Sequence, residues 1–237
     1  MNQIVVEGFS AFAGAFFAFL FLRLGEFLTK LYQREVKHYN SLVNLEVQLN
    51  EIGGIIHDDL YVLPNFIRVI TSGNIYFNNL HTIPIDKSHY ENLYDLSLLN
   101  DLFSYFYQAR KLNDDLITAN SGYQDIKNAL IQKNINKDDY LINTKLMANN
   151  LKQIEAFLIE FEEVTVKLMA RVRVQMKYDI PLGTKIQQFL IKTKGDKIKA
   201  VEIAKEVKKL KKEIDETKAK SSKEIKNIIK KHKRDTQ

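Results

Sequence analysis

The sequence predicts an all-α protein with one N-terminal transmembrane helix, a cytoplasmic antiparallel helical bundle of coiled-coil character and a Lys-rich helical tail. Three observations lead to this fold class. The chain begins with a long apolar run, its middle part repeats apolar residues every three or four positions, and only three prolines and nine glycines interrupt 237 residues. We divide it into an anchor (1–24), a helical domain (25–194) and a basic tail (195–237).

The anchor is the apolar run from Ile4 to Leu22, in which Glu7 is the only charged residue. As a helix, these 19 residues would cover about 28 Å, close to the roughly 30 Å hydrocarbon core of a bilayer. A cleaved signal peptide is the main alternative, but no Lys or Arg precedes Arg23 to form its basic region. Its phenylalanines point in every direction, unlike those of a surface amphipathic helix. We expect one membrane span.

The charges that flank the anchor predict its orientation. Arg23, Lys30, Arg34 and Lys37 all follow the apolar run. Because cationic flanks stay on the cytoplasmic side, we expect a cell-membrane protein with its N-terminus outside and its C-terminal domain in the cytoplasm. The absence of cysteine is compatible with that reducing compartment.

The anchor also carries small residues at every fourth position, namely Ser10, Gly14 and Ala18. Small side chains at this spacing let two membrane helices approach closely, so the pattern favours pairing of two copies in the bilayer. The alternative is that small residues simply fill the span. Both readings stay open on the sequence alone.

A heptad-like seam follows the anchor directly. Its members are Leu28, Leu31, Glu35, His38, Leu42, Leu45, Leu49, Ile52 and Ile56. This spacing is typical of a coiled coil that joins two chains, and it is equally typical of a helix that packs inside its own domain.

Glycine and proline predict where the helices end. The predicted breaks are one connecting region with Gly53, Gly54, Pro64, Gly73 and Pro84, a second at Gly122, and a third at Pro181 with Gly183. Within the first region the His57-Asp58-Asp59 sequence is predicted to form a polar turn after a helix end.

Two further long helices are predicted. Ser88, with Glu91 three residues later, is a candidate capping box for a helix that runs to about Asn120. Its predicted apolar stripe is Leu96, Leu99, Phe103, Phe106, Asn113 and Leu116 or Ile117. The next helix is predicted from Asp138 or Asp139 to about Lys177. Its seam is Met147, Leu151, Ile154, Leu158, Phe161, Thr165, Leu168 and Val172.

The tail holds the excess positive charge. Residues 196–237 contain 15 Lys or Arg and 8 Asp or Glu, a net of +7, whereas the whole chain carries +6. The candidate polyanion-binding residues are Lys208, Lys209, Lys211, Lys212, Lys230, Lys231, Lys233 and Arg234. No aromatic residue lies among them, which argues against a single-strand binder. A solvated coiled-coil face, anionic lipid and nucleic-acid phosphate remain as alternatives.

The sequence contains no recognisable catalytic motif. We find no glycine loop for phosphate, no zincin histidine pair and no cysteine nucleophile. His57 with Asp58 or Asp59 is the best cation or catalytic candidate, but neighbouring helix residues point to different faces. Asn113 is predicted to fix helix register inside the core. We therefore expect no catalytic residue, no metal ligand and no cofactor.

The layout of anchor, helical domain and basic tail resembles that of small bacterial membrane proteins of unassigned function. It is also similar to single-anchor abortive-infection proteins that bacteria use against phages. The likeness extends over the whole chain and no motif carries it. The expected function is protein–protein interaction or self-association at the lipid bilayer, without catalysis. The alternative is a membrane-tethered protein that binds nucleic acid or anionic lipid through its tail, which the resemblance would connect with phage defence.

Overall fold

A computed structural model describes the backbone of residues 2–77, 79–86, 88–181 and 196–235. Side chains are described for the same ranges except residues 2–11, 89, 196–198, 218 and 221–235. Over this part of the chain the protein is all helical, with four α-helices, one turn of 3-10 helix and no strand. The helices are α1 (Asn2–Thr71), α2 (Leu96–Ile131), α3 (Lys137–Tyr178) and α4 (Asp196–Asp235), and the 3-10 turn is Ser88–Tyr90. We call residues 72–95 the connector.

Helix α1 continues through the residues that were predicted to end it. It passes Gly53–Gly54 and Pro64 without a break and ends at Thr71. Glycine costs about 1 kcal/mol in a helix interior and proline about 3 kcal/mol. Side chains such as Ile56 and Leu63, both 0% exposed, offset this cost, because full burial of each contributes about 1.5–3 kcal/mol. The predicted connecting region is therefore wrong before Thr71, and correct at Gly73, which has a φ of +78°.

Helix α2 begins later than predicted. Ser88 starts the 3-10 turn instead of capping the helix. The N-cap is Asp95, whose carboxylate accepts hydrogen bonds from the backbone N–H groups of Ser97 (2.9 Å) and Leu98 (3.0 Å). At its other end α2 continues through Gly122 to Ile131. A Cβ at Gly122 would lie 3.3 Å from Cε of Met147, so glycine suits a close approach of α2 and α3.

The buried face of α2 agrees with the predicted stripe only in part: Phe106 and Leu116 are buried and Leu99 packs against the core. Leu96 is 76% exposed and Phe103 61% exposed, and both lie outside the core. The buried residues are Leu98, Leu102, Tyr105, Phe106, Ala109, Leu112, Leu116, Ala119 and Tyr123. Two apolar stripes run side by side on this helix, and periodicity alone does not show which one meets α3.

Helix α3 agrees closely with the prediction. It runs from Lys137 to Tyr178, and the side chain of its N-cap Asn136 accepts from the N–H of Asp139 at 2.8 Å. The predicted seam from Leu151 to Val172 is buried, with Met147 packed against its edge. The apolar periodicity predicted this helix, whereas the cap at Asn136 was not predicted.

Helix α3 contacts each of the other three helices. It runs antiparallel to α1, because Thr144 near its start donates to the carbonyl of Ile70 at 3.1 Å, and Arg173 near its end donates to Glu46 at 2.6 Å. It is also antiparallel to α2, where Tyr105 stacks on Phe161 with ring centroids 4.6 Å apart. The core therefore lies along α3.

Both predicted seams are used within one chain. Leu42, Leu45, Leu49, Ile52 and Ile56 are all 0% exposed, and the seam of α3 is buried beside them. From Leu42 onward, the open question between an inter-chain coiled coil and internal packing is thus decided for internal packing. The first part of the seam, Leu28 and Leu31, lies outside this core.

Helix α4 docks on the outer side of α3 with its first half. Leu210 is buried, and Ile203, Val207 and Ile214 pack against the core. Ion pairs flank this strip, including Arg173 with Glu206 at 3.4 Å. These contacts place the apolar side of the first half of α4 against the core. The boundary at 194/195 lies outside the described residues.

Candidate interaction surfaces

The N-terminal part of α1 projects from the folded body with its apolar side chains uncovered. Phe12 is 69% exposed, Phe21 70% and Phe27 59%. The first buried side chain that the structure describes along α1 is His38, at 4% exposure. By length and composition, this is the one described helix that is apolar enough to cross a membrane, and the apolar stretch has 0% of its residues buried. We call residues 23–37 the stalk.

The predicted helix-pairing residues lie on this projecting part. Gly14 and Ala18 are exposed, and a Cβ at Gly14 would meet nothing within 4 Å. Ser10 lies in α1, but its side chain is outside the described part. Among the described residues, no contact explains why position 14 is glycine. Pairing in the bilayer accordingly stays a prediction.

The stalk enters the folded body at His38. Nδ1 of His38 lies 3.1 Å from the carbonyl oxygen of Asn92, and Nε2 lies 3.0 Å from a carboxylate oxygen of Asp179. Both partners can only accept hydrogen bonds, so the ring satisfies both when it carries two protons. Tyr94 stacks on the ring at 4.5 Å and donates to the carbonyl of Arg34 at 2.8 Å. These contacts fasten α1 to the ends of α3 and the connector.

The carboxyl of Asp179 has a perturbed pKa. Burial by itself would raise this pKa, but hydrogen bonds from His38 and Gln175 and the positive charges of His38 and Lys199 hold it below the ordinary 3.8. A carboxyl group whose pKa is lower in the folded state than in the unfolded state stabilises the fold. This contribution is fully present at a pH above the pKa of the unfolded state. That stability is lost as the pH falls through the folded pKa.

We expect Asp179→Asn to lower the free energy of unfolding above about pH 4 by an amount of the order of 1 kcal/mol, because it removes a charge-assisted bond. The difference from the wild type should shrink as the pH falls below 3.8 and through the lowered pKa of Asp179 in the folded state. Denaturant unfolding of the detergent-solubilised protein across this range measures it. A difference that stays constant with pH would contradict the assigned contact.

Side chains of α2 hold the connector in place. The amide of Asn113 accepts from the N–H of Ile83 at 2.7 Å and donates to its carbonyl at 2.9 Å. Asn120 makes the same pair of bonds to Leu80, at 3.1 and 2.8 Å. Asn113 thus pairs with connector backbone, and its predicted role in fixing register inside the core is wrong. The spacing of seven residues, which places both amides on one helix face, was the available signal.

The His57-Asp58-Asp59 sequence lies inside α1 and does not form the predicted turn. Asp59 is 1% exposed and binds the connector, accepting from the N–H of His81 at 3.0 and 3.1 Å and contacting its Nδ1 at 2.8 Å. Burial raises the pKa of Asp59 more than the bonds from His81 lower it. Among the described residues, no group of three His, Asp or Glu could hold a metal ion.

A cleft of about 360 Å³ lies between α1, α3 and α4, and His57 is on its wall. Its other lining includes Gly53, Met169 and Leu210. Nδ1 of His57 is buried and has no hydrogen-bond partner in the described part of the protein. Asp59 is held at His81 instead. The structure therefore does not bring the three residues of this candidate together at one site.

The tail lysines fall into two groups. Lys208, Lys209, Lys211 and Lys212 are exposed on α4. Lys209 lies 3.8 Å from Glu213, Lys211 3.6 Å from Glu163, and Lys212 3.8 Å from Glu216. Such exposed pairs contribute little energy and can exchange for other anions. Of the second group, Lys230, Lys231, Lys233 and Arg234, the backbone lies in α4 and the side chains are outside the described part.

Comparisons of the chain with protein-family models, curated proteins and solved structures give no match. The most distinctive surface of this chain is the uncovered apolar part of α1.

Proposed function

We propose that the protein is a single-pass membrane protein that acts through protein–protein interaction or self-association and has no catalytic activity. One observation carries the proposal. The core of the folded body is closed, with residues such as Leu45 and Leu49 fully buried, whereas Phe12, Phe21 and Leu22 are each more than two-thirds exposed on the projecting part of α1. An apolar surface of this extent needs lipid or another protein to cover it.

In this proposal the apolar run up to Leu22 spans the bilayer, and α1, α2 and α3 form an antiparallel bundle in the cytoplasm. The orientation follows from Arg23, Lys30, Arg34 and Lys37, which flank one side of the span. Asp59 and Asn113, which the sequence singled out as candidate site residues, form hydrogen bonds that hold the connector in place. This use supports a non-catalytic role.

The second candidate is polyanion binding by the tail. The supporting observation is that Lys208, Lys209, Lys211 and Lys212 are exposed, while Leu210 faces the core. The partner would be anionic lipid or nucleic acid held by charge alone, since these residues supply no shape for base recognition. A role in phage defence belongs to this candidate.

Crosslinking in native membranes tests both candidates. We expect the full-length protein to form protein adducts that survive about 1 M salt, a concentration at which charge attraction is screened within about 3 Å. A variant with the four exposed tail lysines changed to glutamine should form the same adducts. Only monomer in the membrane fraction would contradict the first candidate. Crosslinked adducts that disappear both at high salt and in the lysine variant would favour the second candidate, polyanion binding.

A further inference from the structure

The stalk carries an apolar face beyond Leu22, where the hydrocarbon core of the proposed bilayer ends. Leu24, Phe27 and Leu28 are 53%, 59% and 51% exposed, and Leu31 lies on the same side. Their steps of three and four residues place them along one helix face. Arg23, Glu26, Lys30 and Gln33 lie around the remaining surface. The stalk is therefore amphipathic, and in the described part of the protein its apolar side has no cover.

Toward the C-terminal end of α1, the apolar face of the stalk continues into the part of the helix that packs against α3. Leu24 and Leu42 are 18 residues apart, which is five turns of an α-helix at 3.6 residues per turn. Leu42 is 0% exposed and belongs to the core. Helix α3 ends at Tyr178, and its C-cap Asp179 contacts His38. On the N-terminal side of His38, no described helix packs against this side of α1.

The hydrocarbon core of the bilayer does not cover this face in the proposed arrangement. Helix α1 is continuous from Asn2 to Thr71, and its one proline is Pro64. Because the stalk continues straight from the span, it cannot turn to lie in the plane of the interface as a separate amphipathic helix would. The charged residues Arg23, Glu26 and Lys30 place the stalk in the aqueous layer beyond the hydrocarbon. A protein surface has to cover the apolar side.

We propose that a second copy of this chain covers it, so that two stalks form a short parallel coiled coil through Leu24, Phe27, Leu28 and Leu31. Membrane attachment gives every copy the same direction and the same height, so identical faces meet in register. No charged residue lies on the face between Leu24 and Leu31, so like charges do not oppose each other there. The steps continue through Phe21 and Phe17 to Gly14, where backbones can approach closely. This inference rests on the proposed membrane attachment.

The absence of cysteine in the chain allows a clean crosslinking test. Single cysteines replace Leu24, Leu28 or Leu31 on the apolar face, and Glu26, Lys30 or Gln33 elsewhere on the stalk, in the full-length protein in membranes. After mild oxidation we expect disulfide-linked dimers from the first three variants and no such dimers from the other three. A disulfide requires Cα atoms within about 7 Å, so it reports direct apposition.

A register control uses two variants together. A Leu24→Cys chain mixed with a Leu31→Cys chain should give no mixed disulfide, because these positions are about 10 Å apart along a helix. A second, independent measurement is Leu28→Glu, which should abolish the dimer while leaving the folded body intact, since Leu28 lies outside the core. Equal crosslinking from all six positions, or none from the apolar three, overturns the proposal.

Carbonate extraction of the same membranes separates the two possible failures. If the variants remain in the membrane without apolar-face dimers, the coiled coil is wrong and membrane attachment stands. If the wild-type chain is itself released, the proposed function fails and this inference fails with it.

Discussion

Replacing Phe12 and Phe16 together with arginine should release the protein from the membrane. The two rings stack on one another one helical turn apart, near the middle of the apolar run, and both are at least half exposed. An arginine near the centre of a span costs roughly 2.5–3.5 kcal/mol on insertion scales. Two of them cost about 5–7 kcal/mol, which is more than a thousandfold in the insertion equilibrium.

Carbonate extraction followed by immunoblotting of pellet and supernatant measures this release. The matched control is Phe103→Arg with Tyr107→Arg, which adds the same charges at two aromatic residues of α2 that are 61% and 72% exposed. We expect the control to stay in the pellet. If both double variants remain there, α1 is not the membrane anchor.

Replacing Leu49 with alanine should destabilise the folded body by about 2–5 kcal/mol. Leu49 is 0% exposed, in the seam that α3 covers. Removing its three terminal carbons leaves a cavity whose walls relax only partly, which adds to the lost transfer free energy. Thermal or urea unfolding of the detergent-solubilised protein gives the difference.

Val47 provides the control on the same helix. It is 64% exposed, so Val47→Ala should change the free energy of unfolding by no more than about 0.5 kcal/mol. Stability should also be independent of protein concentration for Leu49→Ala and for the wild type alike. A midpoint for the folded body that rises with concentration would show that the seam from Leu42 to Ile56 is shared between chains.

The sequence by itself determined the parts of the fold in which local and periodic signals agree. Helix α3 is the best example, because Asp138 and Asp139 at its start and one unbroken apolar stripe predicted a helix to about Lys177, and the observed helix is Lys137–Tyr178. The all-helical class, too, follows from composition and periodicity alone. The apolar start of α1 was predicted in the same way, since the run from Ile4 to Leu22 has one charged residue, Glu7, and the length of a membrane span.

Tertiary structure decided the places where a local signal opposed a favourable burial. Gly53–Gly54 and Pro64 were predicted to interrupt the helix, yet α1 continues through them. Burial of residues such as Ile56 and Leu63 stabilises the helix by more free energy than the glycines and the proline cost. Ser88 read as a cap, yet helix α2 begins after Asp95, whose carboxylate satisfies two backbone N–H groups.

The polar contacts were also decided in three dimensions. His38 and Asp179 are 141 residues apart in sequence, and Asp59 meets His81 only because the connector folds back along α1. Neither pair has a local pattern. The sequence specified the helical class, the apolar seam of α3 and an apolar N-terminal segment. Which apolar residues of a helix are buried depends on the helix that packs against it. Burial requires two surfaces in contact, whereas the periodicity of a sequence describes only one of them.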